Sequence, residues 1–131
     1  MALVRALDGK PASRLVWAPP WDGEAYAPWL GTLGSASGAY LIRDRATHAI
    51  LYVGESHKDR LRKTILRHFE AWSGPTAGTG YDRRDVELAI IVCRAGAEAV
   101  ELQYALIELY RPRDNTYGVG GANEEESDVP F

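Results

Sequence analysis

Cysteine and long apolar runs are scarce in this chain of 131 residues. Its one cysteine, Cys93, excludes an internal disulfide and a zinc site built from four cysteines, and it fits a reducing compartment. No apolar run reaches the roughly 20 residues that cross a membrane, and the N-terminus lacks the charged-then-apolar order of a secretory signal. We therefore expect a cytoplasmic protein of one domain, with no membrane partner.

A strong charge of one sign is also missing, since the net charge at pH 7 is -3. The acidic residues are placed unevenly, because four of the 18 lie in the last eight positions: Glu124, Glu125, Glu126 and Asp128. Residues 1–123 then carry 15 basic and 14 acidic side chains. The mildly acidic total is therefore a property of the tail, and it does not exclude a nucleic-acid partner for the body.

Residues 1–36 are predicted to form an irregular arm, because prolines interrupt them and forbid a long helix. This arm carries three of the four tryptophans, Trp17, Trp21 and Trp29. Exposed tryptophans at this density would promote non-specific association, so we expect the arm to pack on the domain and cover apolar surface. The alternative is an aromatic platform for a ligand.

The rest of the ordered chain predicts a small domain of the α/β (α+β) class over residues 37–117, with a mixed or antiparallel three-stranded sheet flanked by helices. Runs of β-branched and aromatic residues predict the strands, and apolar residues at helical spacing predict the helices. In chain order these elements are strands 39–42 and 49–53, helix 58–72 with Ser56 as its N-cap, strand 86–93 and helix 97–110. Residues 118–131 are expected to be a flexible acidic tail.

Two short sequences at the start of this domain are distinctive. Gly38-Ala39-Tyr40, followed after eleven residues by Tyr52-Val53-Gly54, resembles the paired signature of the GIY-YIG nuclease family. The helix with Arg60 and His68 follows where the family has a catalytic arginine and a histidine or tyrosine. The closing helix also looks like the family's, with Leu106-Ile107, Pro112-Arg113 and an asparagine at Asn115.

The resemblance implies metal-assisted hydrolysis of a DNA phosphodiester, with Mg²⁺ or Mn²⁺ as the cofactor. A tyrosine would accept a proton from water, an arginine would stabilise the transition state, and the ion would bind the leaving oxygen. A tyrosine base needs nearby positive charge, because its free pKa is about 10. The implied catalytic residues are Tyr40, Tyr52, Gly54, Arg60, His68 and Asn115. The alternative for the two tyrosines is a structural role in the core of a hairpin.

The choice of arginine is left open by the spacing. Arg60, Thr64 and His68 are four residues apart and flank the predicted buried stripe, which favours Arg60. The family's simpler spacing would select Arg62, which lies about 200° away on a helix. The other bases of this helix, Arg62, Lys63 and Arg67, are candidates for contacts with DNA phosphates, and an ordinary solvated surface is the alternative.

The second helix departs from the family. Its metal-binding glutamate normally lies four residues before the isoleucine of the Leu-Ile pair, and here that position is Gln103. Glutamine offers a carbonyl oxygen but no charge, whereas hard divalent ions prefer carboxylates. The sequence therefore predicts either a nuclease with a weakened metal site or a domain that binds DNA without cutting it.

The chain ends in Asp128-Val129-Pro130-Phe131 after three glutamates. This ending resembles the acidic C-terminal tip of bacterial single-stranded-DNA-binding proteins, which docks onto replication and repair enzymes. Phe131 would supply an aromatic anchor and a free carboxylate, and the upstream acids would steer it to basic pockets. Such enzymes are therefore expected partners of the tail. The alternative is an acidic tail that only promotes solubility.

Overall fold

A mixed four-stranded sheet with helices on both faces organises the chain, in a computed structural model that describes residues 15–33, 36–70 and 80–115 and the backbone of 3–5. The elements are β1 (Leu3–Arg5), α1 (Pro28–Gly31), β2 (Ser37–Asp44), β3 (Ile50–Ser56), α2 (Leu61–Arg67), β4 (Val86–Cys93) and α3 (Gly96–Tyr110). None of the helices in the described ranges is long and apolar enough to cross a membrane.

The strands are arranged in the order β1-β4-β2-β3, with β2 antiparallel to both of its neighbours. This arrangement confirms the predicted α+β class with its antiparallel three-stranded core. Beside this core, β1 adds a fourth strand that runs parallel to β4, with Leu3 opposite Ile90. A three-residue parallel strand has no hairpin turn to mark it in the sequence, so residues 1–36 gave only the pattern of an irregular arm.

Side chains of β2 alternate between the two faces of the sheet, as the pleat requires. Tyr40 and Ile42 belong to one buried cluster, which α2 completes with Leu61 and Ile65. On the opposite face, Ala39 and Leu41 belong to the second cluster, and α3 covers it with its buried residues Ala99, Leu102 and Leu106. We call these faces the α2 face and the α3 face.

Helix α2 is shorter than the predicted span from Lys58 to Trp72, and Ser56 is not its N-cap. Asp59 has a left-handed backbone with a φ of 57°, which breaks a helix at that point. It is held there by Ser37, whose hydroxyl donates to the Asp59 carboxylate at 2.7 Å and accepts the Asp59 N–H at 3.1 Å. The helix therefore begins at Leu61, and the Ser56 hydroxyl accepts the N–H of Arg60 instead.

The described part of the arm contacts both faces. Trp17 packs against the α3 face and lies under the Arg43 guanidinium, 4.3 Å from the ring centre. Trp29 packs against the α2 face together with Tyr26. Burial of these rings removes apolar area from water, which stabilises the arm on the sheet.

Candidate functional site

Three tyrosines and a histidine meet on the α2 face and form what we call the aromatic cluster: Tyr40, Tyr52, His68 and Tyr81. The ring centre of His68 lies 5.5 Å from that of Tyr40, 4.9 Å from that of Tyr52 and 5.9 Å from that of Tyr81. Tyr40 and His68 are buried, at 2% and 1% exposure, while Tyr52 and Tyr81 are half-buried. The cluster thus has a buried pair and two rings nearer to solvent.

The hairpin register brings the two signature tyrosines together. Tyr40 lies opposite Gly54, and Tyr52 lies opposite Ile42 two positions along the ladder. Positions two apart share a face of the sheet, so the rings of Tyr40 and Tyr52 are 6.2 Å apart, centre to centre. His68 joins them from the C-terminal end of α2.

Gly54 is required by the close approach of Tyr40. A Cβ atom at Gly54 would overlap the phenol ring and hydroxyl of Tyr40. We expect Gly54→Ala to lower the free energy of unfolding by about 1–3 kcal/mol, the usual range for overpacking. Urea unfolding followed by circular dichroism measures this change. Gly31→Ala is the control, because no atom lies within 4 Å of its added Cβ. Equal stability of the two variants would contradict the placement of Tyr40.

The buried pair is joined by a short hydrogen bond, with 2.7 Å between the Tyr40 hydroxyl oxygen and His68 Nε2. Burial is the main cause that raises the pKa of Tyr40 well above its usual value, and the neighbouring Tyr52 and Glu55 raise it further. Tyr40 therefore stays protonated at neutral pH, and its hydroxyl donates to Nε2 in the His68 tautomer that carries its proton on Nδ1. A tyrosine that acts as a base needs a lowered pKa, so the raised pKa of Tyr40 is the opposite of what that role requires.

Tyr81 extends the cluster toward the C-terminal segment. Its hydroxyl donates to the Asp114 carboxylate at 2.7 Å, and that carboxylate also accepts a bond of 2.8 Å from the Arg113 guanidinium. The bond from Arg113 is the main cause that lowers the pKa of Asp114. Sequence reasoning missed Tyr81 and Asp114, because Tyr81 lies between the predicted helix and the next predicted strand, in a stretch without periodicity. An isolated tyrosine in such a stretch was the one available signal.

Asn115 binds the segment after α3 to β3, the edge strand of the sheet. Its amide oxygen accepts the N–H of Val53 at 2.9 Å, and its amide nitrogen donates to the Val53 carbonyl at 3.0 Å. The two preceding residues continue this pairing, because Arg113 and Asp114 donate their N–H groups to the carbonyls of Ile50 and Leu51. In this structure the side chain of Asn115 thus orders β3, the strand that carries Tyr52.

Removal of the Asn115 amide leaves two buried polar groups of Val53 without these partners. We expect Asn115→Ala to lower the free energy of unfolding by about 2–6 kcal/mol, since each of the two groups costs about 1–3 kcal/mol. Chemical denaturation of the variant and of the native chain measures this loss. Native stability of Asn115→Ala would show that these bonds do not order β3.

The candidate arginines both lie at the start of α2. Arg60 directly precedes the helix, and its carbonyl accepts the N–H of Thr64 at 2.9 Å, so it continues the helical line that leads to His68. Arg60 and Arg62 are both exposed, whereas Thr64 and His68 are buried. Lys63 is exposed and Arg67 half-buried, so the basic side chains of this segment face solvent or its border.

Oxygen donors for a divalent ion are few at the family's glutamate position. Gln103 lies on α3, the helix that covers the sheet face opposite the aromatic cluster, and its side chain is 5% exposed and offers a neutral amide. Of the glutamates near it in sequence, Glu101 is exposed, and Glu108 is exposed and pairs with Arg111 at 3.0 Å. Among residues 15–33, 36–70 and 80–115, no three His, Cys, Asp or Glu side chains are grouped to hold a metal. These residues do not fit a resident divalent ion of the kind that the resemblance implies.

Glu55 is a buried carboxylate that sequence reasoning also missed. It directly follows Gly54, is 2% exposed, and approaches His57 Nδ1 at 2.8 Å. It lies opposite Ala39 in the hairpin, on the α3 face and therefore away from the aromatic cluster. Its partner His57 also packs at the start of α3, where a Cβ atom on Gly96 would overlap the His57 carbonyl. The pair thus joins β3 to α3.

The expected tail site at 128–131 lies outside the described residues.

No family model matches the chain. Among curated proteins it is similar to the UvrABC system protein C of Anaeromyxobacter dehalogenans (strain 2CP-C), with 35% identity over 94 residues. The aligned part is 66% of this chain and 12% of that relative, so the chain spans a small part of the relative's length. The similarity therefore bears on one region of that protein and not on its whole activity.

Proposed function

We propose that the chain is a GIY-YIG-type nuclease domain that acts on phosphodiester bonds of DNA. The observation that carries this proposal is the convergence of Tyr40, Tyr52 and His68 on one face of the sheet, with Gly54 shaped to admit the Tyr40 ring. These are the residues that the resemblance assigns to chemistry. The similarity to a UvrABC system protein C, a protein with a GIY-YIG nuclease domain, supports the same class.

We propose different roles for the two signature tyrosines. Tyr40 is buried, stays protonated and holds His68 through a bond of 2.7 Å, so it positions the histidine. Tyr52 is half-buried beside His68 and is the tyrosine that we propose accepts a proton from water. Arg60 would supply positive charge to this tyrosine and to the transition state.

We propose that DNA binds to the basic side chains of α2. Arg62 and Lys63 are exposed and Arg67 is half-buried, so all three can reach phosphates from one short segment. Each phosphate that a base neutralises releases counterions, which makes binding weaker as salt rises. A flat salt dependence of DNA binding would count against this surface.

Mg²⁺ or Mn²⁺ remains our proposal for the cofactor, although the residues at the family position do not form a carboxylate site. The specific observation that favours a second function is therefore Gln103, whose side chain is neutral and almost fully buried. That function is DNA binding without cleavage, with the tail ending in Phe131 recruiting or competing for repair and replication enzymes. Deletion of Pro130 and Phe131 should then abolish binding to such enzymes, and unchanged binding would exclude this role for the tail.

The experiment that separates the two functions is a plasmid-nicking assay of the purified chain with Mg²⁺ or Mn²⁺. Nicking that the native protein carries out and that a variant of the site loses would support the nuclease. DNA binding without nicking under either ion would support the second function. Absence of both binding and nicking would overturn the proposal that DNA is the substrate.

A further inference from the structure

An open pocket borders the aromatic cluster and has no role in the chemistry proposed above. Its volume is about 530 Å³, which lies within the usual range of small-molecule sites. Three aromatic rings and two guanidinium groups line it, from the residues Trp21, Phe69, Tyr81, Asp82, Arg83 and Arg84. This combination of flat apolar surface and positive charge limits the chemistry of what can bind there.

The wall of the pocket is a stacked platform. The Arg83 guanidinium carbon lies 3.4 Å from the centre of the Trp21 ring and 5.0 Å from that of Tyr26. Trp21 in turn meets Tyr26 edge-on, with 5.3 Å between ring centres. A planar guanidinium on a tryptophan face is a favourable stack, and the guanidinium plane is itself a surface on which another flat group can stack.

The platform is pre-formed by a tight turn of the arm. Trp21 and Tyr26 face each other in a β-bridge, and the N–H of Ala27 donates to the carbonyl of Pro20 at 2.8 Å. Between them the Asp22 carboxylate accepts the N–H groups of the second and third residues after it, each at 2.8 Å. A turn fixed by these bonds loses little conformational freedom when a ligand binds.

The charges at the pocket favour an anionic group beside the stacked plane. Arg84 is held by Asp82 through bonds of 3.0 and 2.8 Å, which leaves that pair neutral as a unit. Arg83 then adds one positive charge on the platform itself. A nucleotide has both required parts, because its base stacks on aromatic rings or guanidinium planes and its phosphate is attracted to arginine.

The pocket is continuous with the aromatic cluster. Tyr81 lines the pocket and also contacts His68, with ring centres 5.9 Å apart. The N–H of Tyr81 donates to the His68 carbonyl at 2.6 Å, and Phe69, which follows His68, lines the pocket as well. A nucleotide in the pocket would therefore lie next to the cluster.

We propose that this pocket holds an unpaired nucleobase of the DNA strand on which the aromatic cluster acts. The inference rests on the proposed function and names its substrate class: DNA with an unpaired or extruded nucleotide beside the phosphodiester. Stacking of one base on an aromatic surface contributes about 1–3 kcal/mol. We expect duplex DNA with one unpaired nucleotide to bind about 10-fold tighter than the fully paired duplex.

The test measures fluorescence anisotropy with the native full chain and labelled DNA in EDTA, so that cleavage does not interfere. Three duplexes are compared: fully paired, with one unpaired adenine, and with an abasic residue in place of that adenine. The native protein should prefer the unpaired adenine about 10-fold over both others. Equal affinity for the adenine and abasic duplexes would overturn the base pocket while leaving DNA binding intact.

Variants of the protein test whether Arg83 causes the preference for the duplex with the unpaired adenine. Arg83→Ala should reduce the 10-fold preference to about one, whereas Arg94→Ala, which removes an equal charge beyond the opposite end of β4, should keep it. Arg83→Lys keeps the charge but lacks the plane and should lose most of the preference. A preference that survives in both Arg83 variants would overturn the assignment. Failure of all three duplexes to bind would instead overturn the proposed function, and the pocket with it.

Discussion

Replacement of Arg60 with alanine is expected to lower the rate of DNA nicking by about 100-fold, the effect of removing one charge-stabilising group from a transition state. Arg60 directly precedes α2, and His68 directly follows that helix. Its N–H is bound to the Ser56 hydroxyl at 3.1 Å, and its carbonyl accepts the N–H of Thr64, so its backbone is fixed although its side chain is exposed. The substitution should therefore leave stability nearly unchanged.

Arg62→Ala is the matched control for this prediction. It removes the same charge two residues later, from the first turn of α2, whereas Arg60 precedes the helix. We expect a reduction of less than about 10-fold, which reflects one lost phosphate contact and should shrink at high salt. A reversed order, with the large loss in Arg62→Ala, would move the catalytic arginine to position 62.

Replacement of Gln103 with glutamate is expected to raise the rate of nicking in Mg²⁺ or Mn²⁺ by about 10–100-fold. The reason is that a carboxylate at this position supplies the negative oxygen donor that hard divalent ions prefer, whereas the native amide is neutral. Gel quantification of nicked plasmid against time measures the change. Gln103→Ala is the control, because it removes the amide oxygen and should lower the rate of nicking below that of the native chain.

A second measurement on Gln103→Glu does not depend on activity. The native side chain is only 5% exposed, so a carboxylate there without a counter-charge loses solvation and should destabilise the fold. Its unfolding temperature should fall in EDTA and recover when Mn²⁺ is added, whereas the native chain should change little. If Mn²⁺ does not stabilise the variant and nicking does not increase, position 103 does not face an ion site.

The local parts of the fold were predictable from sequence. The continuous apolar run predicted strand β4 with its observed ends at Val86 and Cys93, and helical periodicity predicted α3 to within one residue of its start at Gly96. Both elements are specified by their own hydrophobic pattern. The start of α2 was not predictable, because it depends on Ser37 holding Asp59, a contact between residues 22 positions apart.

The candidate site was predictable where it depends on strand pairing. Alternation along a hairpin puts Tyr40 and Tyr52 on one face once the register is set, and His68 follows from the direction of α2. Tyr81 and Asp114 were not predictable, since their hydrogen bond joins two segments 33 residues apart without any periodic pattern. The pocket beside Arg83 depends on the arm returning across the domain, which no local pattern indicates.

The most direct test of the proposed nuclease site is plasmid nicking in Mg²⁺ and in Mn²⁺ by the native chain, Arg60→Ala and Gln103→Glu, measured side by side. The account predicts slow nicking by the native chain, about 100-fold less with Arg60→Ala and about 10–100-fold more with Gln103→Glu. If none of the three proteins nicks DNA with either ion while all three are folded, the aromatic cluster is not a nuclease site and the central claim is contradicted.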